Sequence, residues 1–169
     1  ILNSSIVRDE EGNPQFVVGQ VQDISDRKAL EQRLQYQAFH DALTDLPNRS
    51  LFVDRLDHAI MRSARSNERL AVLYLDLDGF KAVNDSLGHA AGDELLIAFA
   101  QRLRGWVRAD DTVARLGGDE FTVLLESLTS LDEALTIAQR IVDGTRLPLT
   151  THGQQVYVLQ RTGLDGLID

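Results

Sequence analysis

The chain has 169 residues, 25% of them charged and 43% apolar, with a formal net charge of −9 and no cysteine. That length supports one medium-sized domain with a substantial core and a short attachment, in an ordinary globular composition. The acidic balance excludes wrapping a nucleic-acid polymer, which needs a basic stripe, and the lack of Cys excludes disulfides and thiolate metal sites. The longest apolar runs, such as Leu95 to Ala100, are too short to span a bilayer, and the first residues show no basic-then-apolar leader pattern.

In chain order, Ser4 to Arg8 and Phe16 to Gln22 read as two strands joined by a turn over Asp9 to Pro14. Ser25 is placed to cap a helix from Asp26 to about His40, on which Leu30, Leu34 and Ala38 share a face. That spacing suits a short coiled coil and equally a linker helix packed on its neighbouring domain. Asn48 is the expected N-cap of a helix reaching Arg65, with Phe52, Leu56, Ala59, Ile60 and Ser63 on one face. Asn67 and Glu68 then turn the chain into Leu70 to Leu77, a continuous apolar run suited to a strand buried on both faces. The run ends in Asp76 and Asp78, so carboxylates emerge where a central strand leaves its sheet, a usual place for a ligand in α/β proteins.

Val83 to His89 reads as a helical turn closed by Gly88. Asp93 is the expected start of a further helix, with Leu95, Leu96, Phe99 and Leu103 turned to the core and Trp106 beside them. Thr112 to Ala114 and Phe121 to Leu125 form a hairpin pattern around Gly117-Gly118-Asp119-Glu120. Tight turns need positive φ, which Gly adopts without cost, and a residue without a side chain lets a phosphate or base approach the backbone. Ser130-Leu131-Asp132-Glu133 is a capping box for a helix carrying Ala134, Ile137, Ala138, Ile141 and Val142, and Gln154 to Leu159 reads as one more strand. Strands alternating with amphipathic helices predict an α/β sandwich with a mixed sheet. One carboxylate at a strand end and another at a hairpin tip suit Mg²⁺ on a nucleoside triphosphate, because that ion takes hard oxygens and fills its shell with phosphate and water.

Several spaced motifs carry a resemblance. They are Asp41-Ala42-Leu43-Thr44-Asp45-Leu46-Pro47-Asn48-Arg49, Asp76-Leu77-Asp78-Gly79-Phe80-Lys81-Ala82-Val83-Asn84-Asp85, Gly88-His89, Gly92-Asp93 and Gly117-Gly118-Asp119-Glu120-Phe121. Together, over roughly residues 40 to 158, they resemble the GGDEF family of diguanylate cyclases. The resemblance implies a nucleotidyl-cyclase-like α/β fold, a mixed sheet flanked by helices with an N-terminal linker helix, related to the palm of polymerases. It implies that two GTP condense to cyclic di-GMP with loss of pyrophosphate. Each 3′-hydroxyl attacks the other α-phosphate, so two domains of a homodimer must face each other.

Carried over by motif, metal coordination falls to Asp76, the backbone carbonyl of Leu77 and Asp119, with Mg²⁺ as cofactor and Mn²⁺ as the alternative. Asp119 is also the proton acceptor, and Glu120 supports it, as the catalytic pair. Asn84 and Asp93 match the guanine readers, although a helix-start acid explains Asp93 too. His89 lies between them and belongs to the implied substrate pocket or is a structural histidine, Lys81 either meets a phosphate or is solvated, and Gly117 and Gly118 admit the nucleotide. Arg108 and Asp111, with five residues between Asp111 and Gly117, have the RxxD spacing of the inhibitory product site, or form a surface ion pair; Arg140 is a third contact.

Asp23-Ile24-Ser25-Asp26-Arg27-Lys28 resembles the junction that ends a PAS sensor domain. The implied division is a PAS-like remnant or plain hairpin over 1–25, a linker helix over 26–40 and the GGDEF domain over 41–169. The family's Ser-x-Gly strand, and the following helix whose Lys and Arg hold the triphosphate, find no match in residues 160–169. The domain is therefore expected to be truncated or altered at its C-terminus, to leave a sheet edge open and to bind GTP poorly alone. Wording such as Asp85-Ser86-Leu87-Gly88-His89 resembles composite proteins, which implies a phosphodiesterase domain in the same full-length chain. The second reading is a non-catalytic module that binds GTP or cyclic di-GMP and regulates that neighbour. The expected location is the cytoplasm, as a soluble protein or the cytoplasmic part of a membrane-attached one.

Overall fold

The computed structural model describes residues 2–66, 68–151, 153–157 and 159–168; for Leu2, Gln154 and residues 159–168 only the backbone is described. The chain divides into two compact units, Ile1–Ala38 and Phe39–Asp169. In the first, strands β1 (Leu2–Arg8) and β2 (Pro14–Val21) pair antiparallel. Their turn forms because the Asp9 carboxylate accepts from the N–H groups of Glu11 (3.0 Å) and Asn13 (2.9 Å), while Gly12 takes φ +85°. Helix α1 (Ser25–Phe39) follows. Ser25 is not its cap. The carboxylate of Asp23 accepts from the Ser25 N–H at 2.9 Å, and the Ser25 hydroxyl and N–H together hold that carboxyl below its ordinary range. No residue of α1 is buried, and Leu30 and Leu34 are each 58% exposed.

The second unit contains α2 (Arg49–Ser66), β3 (Arg69–Asp78), α3 (Phe80–Leu87), α4 (His89–Trp106), β4 (Thr112–Gly117), β5 (Glu120–Leu128), α5 (Leu131–Thr145), β6 (Leu149–Thr151), β7 (Gln154–Val156) and β8 (Leu159–Ile168). The Asn67–Glu68 turn lies partly outside the described residues. Asn48 caps α2 as expected, its Oδ1 accepting from the Leu51 N–H at 3.1 Å.

The central sheet has the order β4-β5-β3-β8. The α/β class is the expected one, with a difference in strand sense: every described pairing is antiparallel. The helical crossover through α3 and α4 does return β4 in the direction of β3, as a mixed sheet requires. The tight hairpin then folds β5 back into the gap between them, so the two parallel strands never touch.

Two cores follow from the alternation of β3. Ala71, Leu73, Leu75 and Leu77 face the larger core with Leu95, Phe99, Phe121, Val123 and Ile141. Leu70 and Val72 face the smaller one, covered by Phe52 and Ala59 of α2. Tyr74 and Asp76, next along the same face, are exposed.

Three boundaries differ from expectation. The turn ending at Gly88 is a full helix, α3, starting from Gly79 at φ +87°. Helix α4 begins at His89, because Gly88 at φ +87° bends the chain and His89-Ala90-Ala91 already continue as helix. Asp93 therefore stands in the second turn, and the helix-start explanation for it is withdrawn. The single strand expected at Gln154 to Leu159 is two: β7 closes a small hairpin with β6, and the chain then enters β8. Residues Leu159 to Ile168 pair along β3, Asp78 opposite Leu159 and Leu70 opposite Ile168, so the edge expected to be open is occupied.

Trp106 packs between helices: a Cβ built on Gly144 of α5 would lie 2.3 Å from its ring. Phe99 meets the same indole edge-on, centroids 6.4 Å apart. Gly144→Ala gains up to ~1 kcal/mol of helix propensity but must displace this wedged ring, an overpacking cost of roughly 1–3 kcal/mol. The expected outcome is a lower thermal midpoint by calorimetry; an unchanged or higher one would mean that the indole moves freely.

Candidate functional site

The end of β3 and the hairpin tip are brought together by register. Asp76 stands opposite Glu120, and Gly117 pairs with Glu120 across a two-residue loop of Gly118 and Asp119. The backbone there is left-handed, φ +147° at Gly117 and +53° at Gly118, which explains the glycines. Asp119 is half-buried and Glu120 exposed.

Arg115 fixes the tip. Its Nε and Nη2 donate to the Gly118 carbonyl at 2.9 and 2.7 Å, and its Nη1 to Asp41 Oδ1 at 2.9 Å. Asp41 also accepts from the Thr44 N–H (2.9 Å) and hydroxyl (2.7 Å). With the guanidinium only 10% exposed, this is a shielded, charge-assisted network. Burial alone would push the Asp41 carboxyl up, but the hydrogen bonds from Thr44 and Arg115 and the Arg115 charge outweigh it and hold the carboxyl below its ordinary value of 3.8. A depressed pKa contributes stability that is present above the unfolded value and is lost as pH falls through the folded one. Acid titration is therefore expected to release the hairpin tip below about pH 4, and Asp41→Asn to flatten that part of the stability profile; an unaltered profile in the variant would detach Asp41 from it.

The helix α2 covers β3 only as far as Val72. Beyond it a cavity of about 360 Å³ opens, lined by Arg49, Tyr74, Asp76, Leu116 and Glu120 among others. Arg49 Nη2 lies 3.8 Å from Glu120 Oε2, both well exposed, so this pair orients more than it stabilises. The side chain of Leu77 is 1% exposed and faces the core, which leaves only its backbone oxygen for a metal. Among the described residues no group of three His, Cys, Asp or Glu side chains could hold a metal by itself. The donor set of two carboxylates and a carbonyl fits Mg²⁺, which draws its remaining ligands from phosphate and water rather than from an all-protein cage.

A second cluster lies where α3 crosses α4. A Cβ on Gly92 would fall 2.0 Å from Asn84 Oδ1 and 3.2 Å from the Phe80 ring, so the Asn84 amide is seated directly on the α4 backbone beside Asp93. Asn84 is half-buried, whereas Asp93, His89 and Lys81 are exposed.

The RxxD pair is arranged differently from a side-chain ion pair. The Arg108 N–H donates to Asp111 Oδ2 at 2.9 Å, while the Arg108 guanidinium pairs with Glu133. Burial pushes the Asp111 carboxyl up, opposed by that backbone bond and by the charges of Arg108 and Arg140. Glu133 is pulled down to about 2 by the Thr129 N–H, the Arg108 guanidinium and the Thr129 hydroxyl. The capping box is correspondingly shifted: Ser130 Oγ accepts from the Glu133 N–H at 3.3 Å, but the Glu133 carboxylate reaches Thr129 rather than Ser130.

Sequence reasoning missed Asp41, Arg49 and Arg115. The two ends of the Asp41–Arg115 contact are 74 residues apart, and although Asp41 opens one motif and Arg115 stands just before another, no local pattern couples them.

The domain model described as "Diguanylate cyclase, GGDEF domain" matches residues 38–165, running into the C-terminal segment for which no motif was found. A bifunctional diguanylate cyclase/cyclic di-GMP phosphodiesterase, MucR of Pseudomonas aeruginosa, is 50% identical over 127 residues, covering 75% of this chain and 18% of that protein. The diguanylate cyclase TpbB of the same species is 52% identical over 116 residues, covering 69% of this chain and 27% of that protein. The chain thus spans about a fifth to a quarter of the length of these curated relatives. The solved GGDEF domain of TpbB superposes with a TM-score of 0.71 at 48% identity, over 73% of each chain. The coiled coil and GGDEF domain of DgcB from Caulobacter crescentus, solved with cyclic di-GMP, gives 0.72 at 26% identity over 81% of this chain and 73% of that one. From the hairpin to the domain model, these features have one owner: the chain belongs to the GGDEF-domain family of diguanylate cyclases.

Proposed function

We propose that this chain is the catalytic module of a diguanylate cyclase that condenses two GTP into cyclic di-GMP with release of pyrophosphate. The observation that carries the reading is the register placing Asp76 opposite Glu120, with Asp119 on the adjoining two-residue tip. Asp76, Asp119 and the Leu77 carbonyl would hold Mg²⁺ or Mn²⁺, which when bound neutralises phosphate charge and lowers the pKa of the attacking hydroxyl. Asp119 accepts the proton and Glu120 supports it. Asn84 and Asp93 read guanine, with His89 and Lys81 at the rim of the nucleotide and Gly117 and Gly118 giving it backbone access.

Because each 3′-hydroxyl attacks the other nucleotide, the working unit is a homodimer with two half-sites. The proposed organisation is a sensor-domain remnant over 1–25, a linker helix over 26–40 and the cyclase domain from 41, in a cytoplasmic setting. Among the described residues no helix is long and apolar enough to cross a membrane. The name of the relative MucR supports a phosphodiesterase domain in the same full-length protein. The test is chromatographic: GTP and Mg²⁺ given to the full-length protein should yield cyclic di-GMP and pyrophosphate, and GTP bound without turnover would favour a regulatory module instead.

Arg108, Asp111 and Arg140 form the proposed inhibitory product site. Product must take the Arg108 guanidinium from Glu133, so inhibition is an exchange of partners. Losing one charge-assisted contact costs about 1.5–3 kcal/mol, so Arg108→Ala is expected to raise the half-inhibiting concentration of cyclic di-GMP about ten- to a hundredfold without raising the GTP requirement. Unchanged inhibition would reduce the pair to a surface feature.

A further inference from the structure

Residues 147–151 run along α4 as a strap. At one end the Arg102 guanidinium donates to the carbonyls of Leu147 (3.0 Å) and Pro148 (2.6 Å). At the other, Thr151 Oγ1 donates toward the Ala91 carbonyl and a carboxylate oxygen of Glu94, each at 3.0 Å. Leu149, between them, is 5% exposed and belongs to the main core. Thr151 itself is 1% exposed. Its hydroxyl has one proton and no access to water, so that proton is committed to this turn of α4. Ala91 and Glu94 flank Gly92 and Asp93, and Asn84 of α3 presses on Gly92 in the same turn. The turn thus contacts both α3 and the strap.

We propose that Thr151 is a positioning residue of the nucleotide pocket: it fixes the α4 turn that presents Asp93 and thereby sets discrimination for guanine. The inference rests on the function proposed above. Asp93 is exposed, so the backbone of its own turn is what aims it. A carboxylate that accepts from both N1–H and N2–H₂ of guanine needs its two oxygens aligned with the base edge, and a small rotation of the turn forfeits one bond. Hydrogen-bond readout of this kind discriminates strongly only while the geometry holds.

The test compares 3′-deoxy-GTP with 3′-deoxy-ITP, which lack the attacking hydroxyl, in calorimetric titrations of the full-length protein with Mg²⁺; the inosine base lacks the N2 amino group. The parent should favour the guanine nucleotide. Thr151→Val, similar in shape without the hydroxyl, should cut that preference about tenfold, one hydrogen bond's worth, while Thr151→Ser keeps it. A Thr151→Val protein with the parental preference, even one that melts earlier, would overturn the inference and leave the cyclase reading intact. Should the valine variant not fold, Thr151→Ala removes the same hydroxyl without the extra branching and is judged by the same ratio. A parent with no preference would overturn the cyclase reading and this inference with it.

Discussion

Asp119→Asn is expected to lower Mg²⁺-dependent synthesis of cyclic di-GMP by at least about a hundredfold, ~2.7 kcal/mol in the barrier, with the thermal midpoint unchanged. The asparagine keeps the size of the side chain but loses the charge that a hard cation and a departing proton both require. The fold should not notice, because the tip is shaped by Gly117, Gly118 and the Arg115 contacts to the Gly118 carbonyl rather than by Asp119. Turnover within about tenfold of the parent, ~1.4 kcal/mol, would remove Asp119 from both roles. Midpoints of both proteins, measured alongside, separate this result from unfolding.

Gly92→Ala is expected to lower GTP affinity about a hundredfold or more while leaving a folded protein. The added Cβ would sit 2.0 Å from Asn84 Oδ1, a distance no real contact tolerates, so the amide must leave. Asn84 is the free end of a side chain and can rotate away at modest cost, whereas the helix backbone behind Gly92 cannot. The methyl also approaches Phe80 at 3.2 Å, which adds overpacking of roughly 1–3 kcal/mol. Affinity should therefore fall about a hundredfold or more, the loss of one guanine reader and displacement of its neighbour, with only a modest drop in midpoint. GTP binding within a few-fold of the parent would mean that Asn84 does not read the base.

These two sites differ in how far the sequence exposed them. The apolar run of β3, the Gly-Gly tip and the Asn48 cap were legible because each is a local pattern with a local cause: burial, positive φ and an orphan N–H. The seat of Asn84 on Gly92 was half-legible, as both residues stand in motifs, but only the helix crossing shows that one must be small for the other to fit. The Asp41–Arg115 network was invisible, since a half-buried ion pair across so much chain leaves no periodic trace. The start of α4 was misplaced for a related reason. Asp93 carries an N-terminal signature, yet Gly88 had already bent the chain and the alanines after it needed no cap. Strand β8 was missed because family wording ran out there while the free edge of β3 still offered pairing.

That position of β3, hydrogen-bonded on both sides by strands made after it, has a consequence for biosynthesis. The segment is finished at Asp78, but its first described partner begins at Glu120 and its second at Leu159. At roughly 5–20 residues per second, the ribosome leaves an apolar β-forming stretch without its sheet for about 2–8 s before β5 can reach it. Such a window is an aggregation hazard in a nascent chain, and charged residues beside it are the usual protection. Arg69 at one end and Asp76 and Asp78 at the other occupy those flanks. Asp76, proposed to meet the metal, would thus also guard the strand while it waits, which ties its replacement to soluble yield during expression as well as to turnover.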